Sequence, residues 1–342
     1  MIICMRYLYN VYNLTEEIFS MEMKIEECSG ILERIVENIG TVIIGKKKTV
    51  ELVVLSMVSG GHVLIEDIPG VGKTSLVSAL ARSVDCSFKR IQFTPDIVPS
   101  DITGFSIYNQ KTGEFEFRQG AAMSNFVLAD EINRASAKAQ SSLLEVMEEK
   151  QVTVDLNTYK LEEPFMVLAT QNPIDSLGTY PLPEAQIDRF QVKVALGYPK
   201  IEEEMSIISM TNEDKRDIVP VASGEDIIRI KRIAEAIYVD DTVSKYIVDI
   251  VTASRNHPDI QLGASPRGSI ALYRLGQAMA LYKGRDYVIP DDIKYLAPYV
   301  LPHRFILSHE AKVNRKSRND IMNEILERVE VPAGKKFKEN SK

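Results

Sequence analysis

Between positions 62 and 196 the chain returns repeatedly to short, mostly apolar runs: "HVLIE", "SFKRIQF", "NFVLAD", "FMVLAT" and "FQVKVAL". Polar or turn residues bound each run, and helical stretches separate them. Several are apolar without alternation, which predicts strands buried on both faces of a parallel sheet covered by helices. Ahead of them, from Met23, the order reads helix, a "TVIIGKKK" junction, then a second helix. The first two-thirds is therefore α/β.

Two segments alternate instead. "GFSIYNQKTGEFEFRQG" sets Phe115 and Phe117 against Glu114, Glu116 and Arg118 after a "QKTG" turn, and "KQVTVDLNTYKLEE" alternates Val152, Val154 and Leu156 before "NT". Period two around a turn predicts hairpins, and half-apolar hairpins need a surface to lie on.

Beyond about Lys200 the period becomes three-and-four. "GEDIIRIKRIAEAIY", "DTVSKYIVDIVTASR", "PRGSIALYRLGQAMALYKG" and "PDDIKYLAPYVL" predict a bundle of four or five helices. The charged stretch "IEEEMSIISMTNEDKR" reads as a solvated helix face. Pro, Gly and charge gather between Tyr198 and Ser223, so the expected division is an extension over 1–22, a core over 23–205, a helical unit over 206–335 and a solvated tail over 336–342.

Composition narrows the class. A length of 342 residues suits two units, and 45% hydrophobic with 26% charged residues is ordinary for a folded protein. A net charge of −7 argues against a broad face for phosphate backbones, so nucleic acid is not the expected partner. Three cysteines without C-x-x-C spacing indicate neither a disulfide framework nor a zinc site, which fits a reducing cytoplasm. No apolar run of about 18 residues predicts a membrane span, and the first residues lack a signal-peptide cleavage site. The four histidines show no metal spacing and read as structural or exposed.

The candidate chemistry starts at "HVLIEDIPGVGKTSLVSAL", a strand, a Gly-rich turn and a helix. A phosphate-binding loop reads G-x-x-x-x-G-K-[ST], but Asp67 stands where the first glycine belongs. That position ends the strand, and Asp tolerates positive φ better than most residues, so the loop is expected to survive. Amides of the turn and helix start would face phosphates, with Lys73 on the β and γ oxygens and the Thr74 hydroxyl on Mg²⁺. "NFVLADEINRA" carries Asp130 and Glu131 out at a strand end, one suited to the Mg²⁺ shell and the other to a general base acting on water. Asn172 in "FMVLATQNP" ends a further strand, where its amide could orient that water or touch the γ-phosphate. Arg189 in "IDRF" and Arg267 in "SPRGS" are candidates for stabilising charge on a transferring phosphoryl group. Singly, each of these has a bland alternative: a solvated acid pair, an Asn-Pro turn, surface arginines.

Taken in order, "IPGVGKT", "LADEINRA", "ATQNP", "LPEAQIDRF" and "SPRGS" resemble the AAA+ ATPases, and "QFTPDIVPSDITG" with "SLLEVMEEKQVTV" narrows the likeness to the MoxR family, over roughly Lys24 to Arg304. The resemblance implies an αβα P-loop core whose parallel five-stranded sheet runs 5-1-4-3-2, a C-terminal all-helical lid, and a homo-oligomeric ring, usually a hexamer. It implies a nucleotide-binding loop over Pro69, Gly70, Val71, Gly72, Lys73, Thr74 and Ser75, with Ile43, Ile44 and Gly45 lining the adenine. It also implies Mg²⁺ at Thr74 and Asp130, catalysis by Glu131 with Lys73 and Asn172, an arginine finger at Arg189 acting on the neighbour's nucleotide, and sensor 2 at Arg267. One departure is Pro302 in "VLPHRF", where relatives often carry Arg; Arg304 still matches.

The function so implied is a Mg-ATP-driven ring motor that remodels partner proteins, working with a von Willebrand A domain protein in complex assembly or metalloenzyme maturation. Alternatives are the ATPase subunit of a metal chelatase, a DNA-directed motor and a nucleotide-binding domain without turnover. The few basic residues in the hairpins, Lys111, Arg118, Lys150 and Lys160, oppose the DNA motor, and intact Lys73, Glu131 and Arg189 oppose the last.

Overall fold

The structure, a computed structural model, describes residues 25–172, 180–209 and 218–332; the expected extension at 1–22 and tail at 336–342 lie outside them. Its centre is a five-stranded parallel sheet made of β1 (Val63–Glu66), β2 (Phe88–Gln92), β5 (Phe126–Asp130), β8 (Met166–Gln171) and β9 (Val192–Val194). The spatial order is β2-β5-β8-β1-β9, which is 5-1-4-3-2 when these five are numbered among themselves. Every predicted strand is present, and the implied order is borne out.

The apolar runs fold as doubly covered strands because alternate residues serve different faces. Val63, Ile65, Phe126, Leu128 and Leu168 join one buried cluster with helix α1 (25–40), α2 (Lys47–Val58) and α3 (Lys73–Ser83). Leu64, Val127, Ala129, Val167 and Ala169 join the other, with α5 (Ala137–Glu149). The short α4 (Pro99–Thr103) also lies on that second side, through Ile102.

Both predicted hairpins form: β3 (Gly104–Asn109) with β4 (Glu114–Gln119), and β6 (Gln151–Val154) with β7 (Asn157–Lys160). Part of what they lie on is each other, since the rings of Phe117 and Tyr159 stack at 4.1 Å between centroids. Their outer residues Phe115 and Leu156 remain exposed.

The helices after the sheet are α6 (Glu184–Ile187), α7 (Ile201–Ser209), α8 (Gly224–Glu235), α9 (Asp241–Arg255), α10 (Pro266–Tyr282), α11 (Pro290–Val300), α12 (His309–Val313) and α13 (Arg318–Arg328), with a small β10 (Ile260–Leu262) and β11 (Ile306–Leu307) pair. Ser223 caps α8, Asp240 α9 and Ser265 α10, each side chain accepting a bond from a first-turn amide. Helix α13 was not among the expected elements, although its Ser317/Asp320 capping box is a sequence signal for one. The lid shares its core with the α1–α2 side of the sheet: Ile230, Leu275 and Leu296 belong to the same cluster as Ile65. Among the described residues no helix is long and apolar enough to cross a membrane.

Candidate functional site

In a parallel sheet all strands end at one edge, and this edge collects the first group of candidates. β1 delivers the loop from Asp67 to Gly72, where Gly70 (φ 85°) and Gly72 (φ 94°) take left-handed conformations that a side chain would strain. Gly72 is the N-cap of α3 and supplies no side-chain cap, so the first amides of that helix are left to an outside acceptor. Free amides at the positive end of a helix form a cradle for anions, and the fit to a polyphosphate is good. Ile43 approaches Gly72, since a Cβ on Gly72 would lie 3.9 Å from Ile43 Cδ1. Pro69, Gly70, Thr74 and Ser75 are exposed, and Val71 is half-buried.

Asp67 differs from expectation. Its φ is not positive, so glycine is not required there. Its buried carboxylate does structural work instead: Oδ2 accepts from Leu196 N–H (2.6 Å) and Gly197 N–H (2.8 Å), and Oδ1 from Ile68 N–H (2.9 Å). The loop is thereby tied to the exit of β9. Lys73, nearly buried, donates to the Asp67 carbonyl at 3.0 Å, folding back over the loop it would leave on meeting a phosphate.

Asp130 closes β5. Its Oδ1 accepts from the Thr170 hydroxyl on β8 (2.6 Å), and its Oδ2 from Arg90 Nε (3.1 Å) and Nη2 (2.6 Å) on β2. Glu131 follows in a left-handed conformation (φ 57°) that turns it out of the strand, its N–H held by Thr170 Oγ1 at 2.8 Å. Its carboxylate accepts from Gln92 Nε2 (2.8 Å) and pairs with Arg134 (3.2 Å). Asn172 leaves β8 beside the loop, because Gln171 faces Glu66 in register and accepts from Asp67 N–H at 3.0 Å. One edge thus carries Lys73, Thr74, Asp130, Glu131 and Asn172. Sequence reasoning missed Arg90, Gln92 and Thr170; a strand reading "KRIQ" with polar residues on a sheet otherwise buried was the available sign.

The junction at Ile43 to Gly45 sits against α7. Lys46 Nζ donates to the Tyr198 carbonyl (2.9 Å) and pairs with Glu203 (3.7 Å). Gly45 has φ 74°, and a Cβ there would fall 2.0 Å from the Glu203 carboxyl.

The arginines go to the other edge. Arg189 precedes β9, whose entry is fixed by Gln191 N–H on the His62 carbonyl at 2.8 Å, where β1 begins. Five residue-to-residue steps along β1 at about 3.3 Å each separate His62 from Asp67, roughly 16 Å. Arg189 donates to the Leu144 carbonyl (2.6 Å) and pairs with Glu148 on α5 (3.0 Å), while its buried Nε has no hydrogen-bond partner among the described residues. Arg267 pairs with the same Glu148. The convergence is arranged by Asp188, which accepts from Ser265 (2.7 Å), the cap of α10, and from buried Arg304 Nε (2.8 Å). Burial pushes the Arg304 guanidinium down to about 10, and the Asp188 carboxylate opposes that shift. Between these groups lies a cavity of about 240 Å³. So Arg267 is brought to Arg189, and neither is brought to this chain's own P-loop.

The chain matches known families over both the sheet and the helical unit. Residues 62–192 match the model of the ATPase family associated with various cellular activities, and residues 252–325 match the AAA lid domain. Chaperone MoxR1 of Mycobacterium tuberculosis is 42% identical over 88% of this chain and 82% of its own. The chain belongs to the MoxR family of AAA+ ATPases. An uncharacterized protein, YeaC of Bacillus subtilis, is 52% identical over 90% of the chain and 97% of that protein. A crystal structure of a Cytophaga hutchinsonii protein superposes with a TM-score of 0.86 at 41% identity, covering 93% of this chain and 99% of that one. Membership of the MoxR family makes the chain an ATP-binding ATPase, with an AAA lid over residues 252–325.

Proposed function

We propose that this MoxR-type ATPase works as a ring, usually six copies, in which the loop edge of one copy and the arginine edge of the next build each active site. The observation that carries the reading is the pairing of Arg189 and Arg267 on Glu148, at the opposite end of the sheet from Lys73. Lys73 would leave the Asp67 carbonyl for the β and γ phosphates, and the amides of Gly70 to Ser75 would hold the phosphate chain against the start of α3. Ile43, Ile44 and Gly45 would bound the base. Thr74 and Asp130 would hold Mg²⁺, which neutralises charge on the phosphates when bound. Glu131 would take the proton of the attacking water, and Asn172 would orient that water. Arg189 and Arg267 would leave Glu148 for the neighbour's nucleotide, where Arg189 stabilises the negative charge that grows on the transferring group.

The work done with this energy is remodelling of a client protein in the cytoplasm, with a von Willebrand A domain protein as partner in complex assembly or metalloenzyme maturation. The likeness to Chaperone MoxR1 supports the chaperone part. A core over 23–205 and a lid over 206–335 would be the moving bodies. Phosphate release from Mg-ATP, measured across protein concentration for wild type, Arg189→Ala and Arg267→Ala, tests the shared site. Specific activity should climb with concentration and collapse in both variants. A flat, arginine-independent rate would show each chain working alone.

A further inference from the structure

Helix α7 carries an apolar stripe with no partner among the described residues. Ile201, Met205 and Ile208 are 77%, 65% and 78% exposed. At about 100° per residue these three fall within roughly 60° of one another, and Glu203 falls on the far side of the helix. Glu203 is the side chain that meets Gly45 and Lys46. The helix is therefore held against its own chain by its acidic face, with the apolar stripe outward and exposed Glu202 and Glu204 on either flank. Solvation accounts for the glutamates; it does not account for the stripe.

A matching surface lies on the lid. Helices α9 and α10 leave a groove of about 400 Å³, floored by buried Ile247 and walled by Val248, Ile270 and Tyr273, which are 52%, 52% and 38% exposed. Exposed Arg274 borders the groove, with Arg267 one turn before Ile270 on α10. Ile270 and Arg274 also line the cavity that holds Arg189 and Arg267, so the groove and the arginine edge are one continuous surface. The chain cannot fill its own groove with α7, because that helix is tied to Gly45 and Lys46 beside the P-loop.

We propose that α7 of one copy seats its Ile201, Met205 and Ile208 in the α9–α10 groove of the next copy, with Glu204 against Arg274. The inference rests on the shared-site ring proposed above and names the contact that sets its register: α7 flanks the loop edge, the groove flanks the arginine edge, and bringing the edges together brings these two surfaces together. The groove lining carries one base, Arg274, and one acid, Glu235 on α8, and it is the base that Glu204 is matched to. The contact is heterologous, the kind that closes rings.

The test is sedimentation velocity of the full chain with Mg²⁺ and a non-hydrolysable ATP analogue, beside binding of a fluorescent ATP analogue. Wild type should assemble. Met205→Glu and Ile270→Glu should each need at least tenfold more protein to assemble, with nucleotide binding unchanged; both positions are surface positions, so folding is not at stake. Arg274→Glu should weaken assembly, and Glu204→Arg in the same chain should restore it, because only paired charges compensate. Wild type assembling while both apolar variants assemble equally well, or charge changes that add instead of compensating, would overturn the contact and leave the ring. A wild type that stays monomeric at every concentration would remove both.

Discussion

Replacing Asp67 by glycine restores the consensus phosphate-binding loop, and the structure says that it should harm the protein. The carboxylate Oδ2 accepts from Leu196 N–H at 2.6 Å and Gly197 N–H at 2.8 Å. A hydrogen bond to a charged group is worth about 1.5–3 kcal/mol, so two at the lower end give about 3 kcal/mol. Glycine adds backbone freedom to the unfolded chain, which costs about 0.5–1 kcal/mol more. At about 2.1 cal/mol/K per residue, a 342-residue chain unfolds with an entropy of about 0.7 kcal/mol/K, so 1 kcal/mol moves Tm by about 1.4 °C and the total of about 3.5–4 kcal/mol should lower it by roughly 5–6 °C. The assay is differential scanning calorimetry on wild type, Asp67→Gly and Asp67→Asn, the last keeping shape and one acceptor and falling between the others. ATP affinity should drop as well, because the loop loses its tie to the exit of β9. An Asp67→Gly protein as stable as wild type would refute the anchoring role and return position 67 to an ordinary loop residue.

Other outcomes follow from neighbouring groups. Glu131→Gln should keep ATP bound and slow phosphate release by about 100-fold or more, in single-turnover assays. Arg90→Ala frees Asp130 from a half-exposed ion pair worth about 0.5–1 kcal/mol, so half-maximal hydrolysis should need about twofold to fivefold less Mg²⁺. Arg304→Ala leaves the Asp188 carboxylate without its buried partner and should cost about 3–5 kcal/mol in denaturant unfolding.

How much of this was legible in the sequence depended on whether a signal was local. The strands, hairpins and helices announced themselves through period and turn chemistry, and "DE" after an apolar run placed its carboxylates correctly at a strand end. What local pattern cannot carry is which distant groups meet. Nothing in "EVMEEKQ" marks Glu148 as the acid on which Arg189 and Arg267 converge, because that meeting depends on Asp188 gripping Ser265 and Arg304 from far along the chain. Asp67 failed as a glycine argument for the same reason: its partners are amides more than a hundred residues away. Helix α7 was read from its charges alone, and only its placement shows that Glu203 faces inward while Ile201, Met205 and Ile208 face out.

Proton linkage gives a last prediction, from the seam that fastens the arginine edge. His62 lies fully buried where β1 begins, with Nε2 donating to the Met147 carbonyl (3.1 Å) and Nδ1 accepting from Val167 N–H (3.0 Å). That arrangement suits the neutral ring, and burial chiefly pushes its pKa down to about 4, with Lys150 adding to the shift. His303, buried against the Phe190 carbonyl and next to Arg304, is held well below its usual range by the same cause. In the unfolded chain both would protonate near pH 6.5. Their contribution is therefore complete above that pH, and it is lost as pH falls from about 6.5 to about 4, because the unfolded state binds protons that the native state refuses. For His62 the difference amounts to about 3 kcal/mol. Urea unfolding from pH 7.5 to 4.5 should show this decline, and His62→Gln, whatever its stability at pH 7.5, should show a shallower one. Equal slopes in the two proteins would mean that His62 titrates freely in the fold, and the neutral hydrogen-bonded ring between Met147 and Val167 would then be wrong.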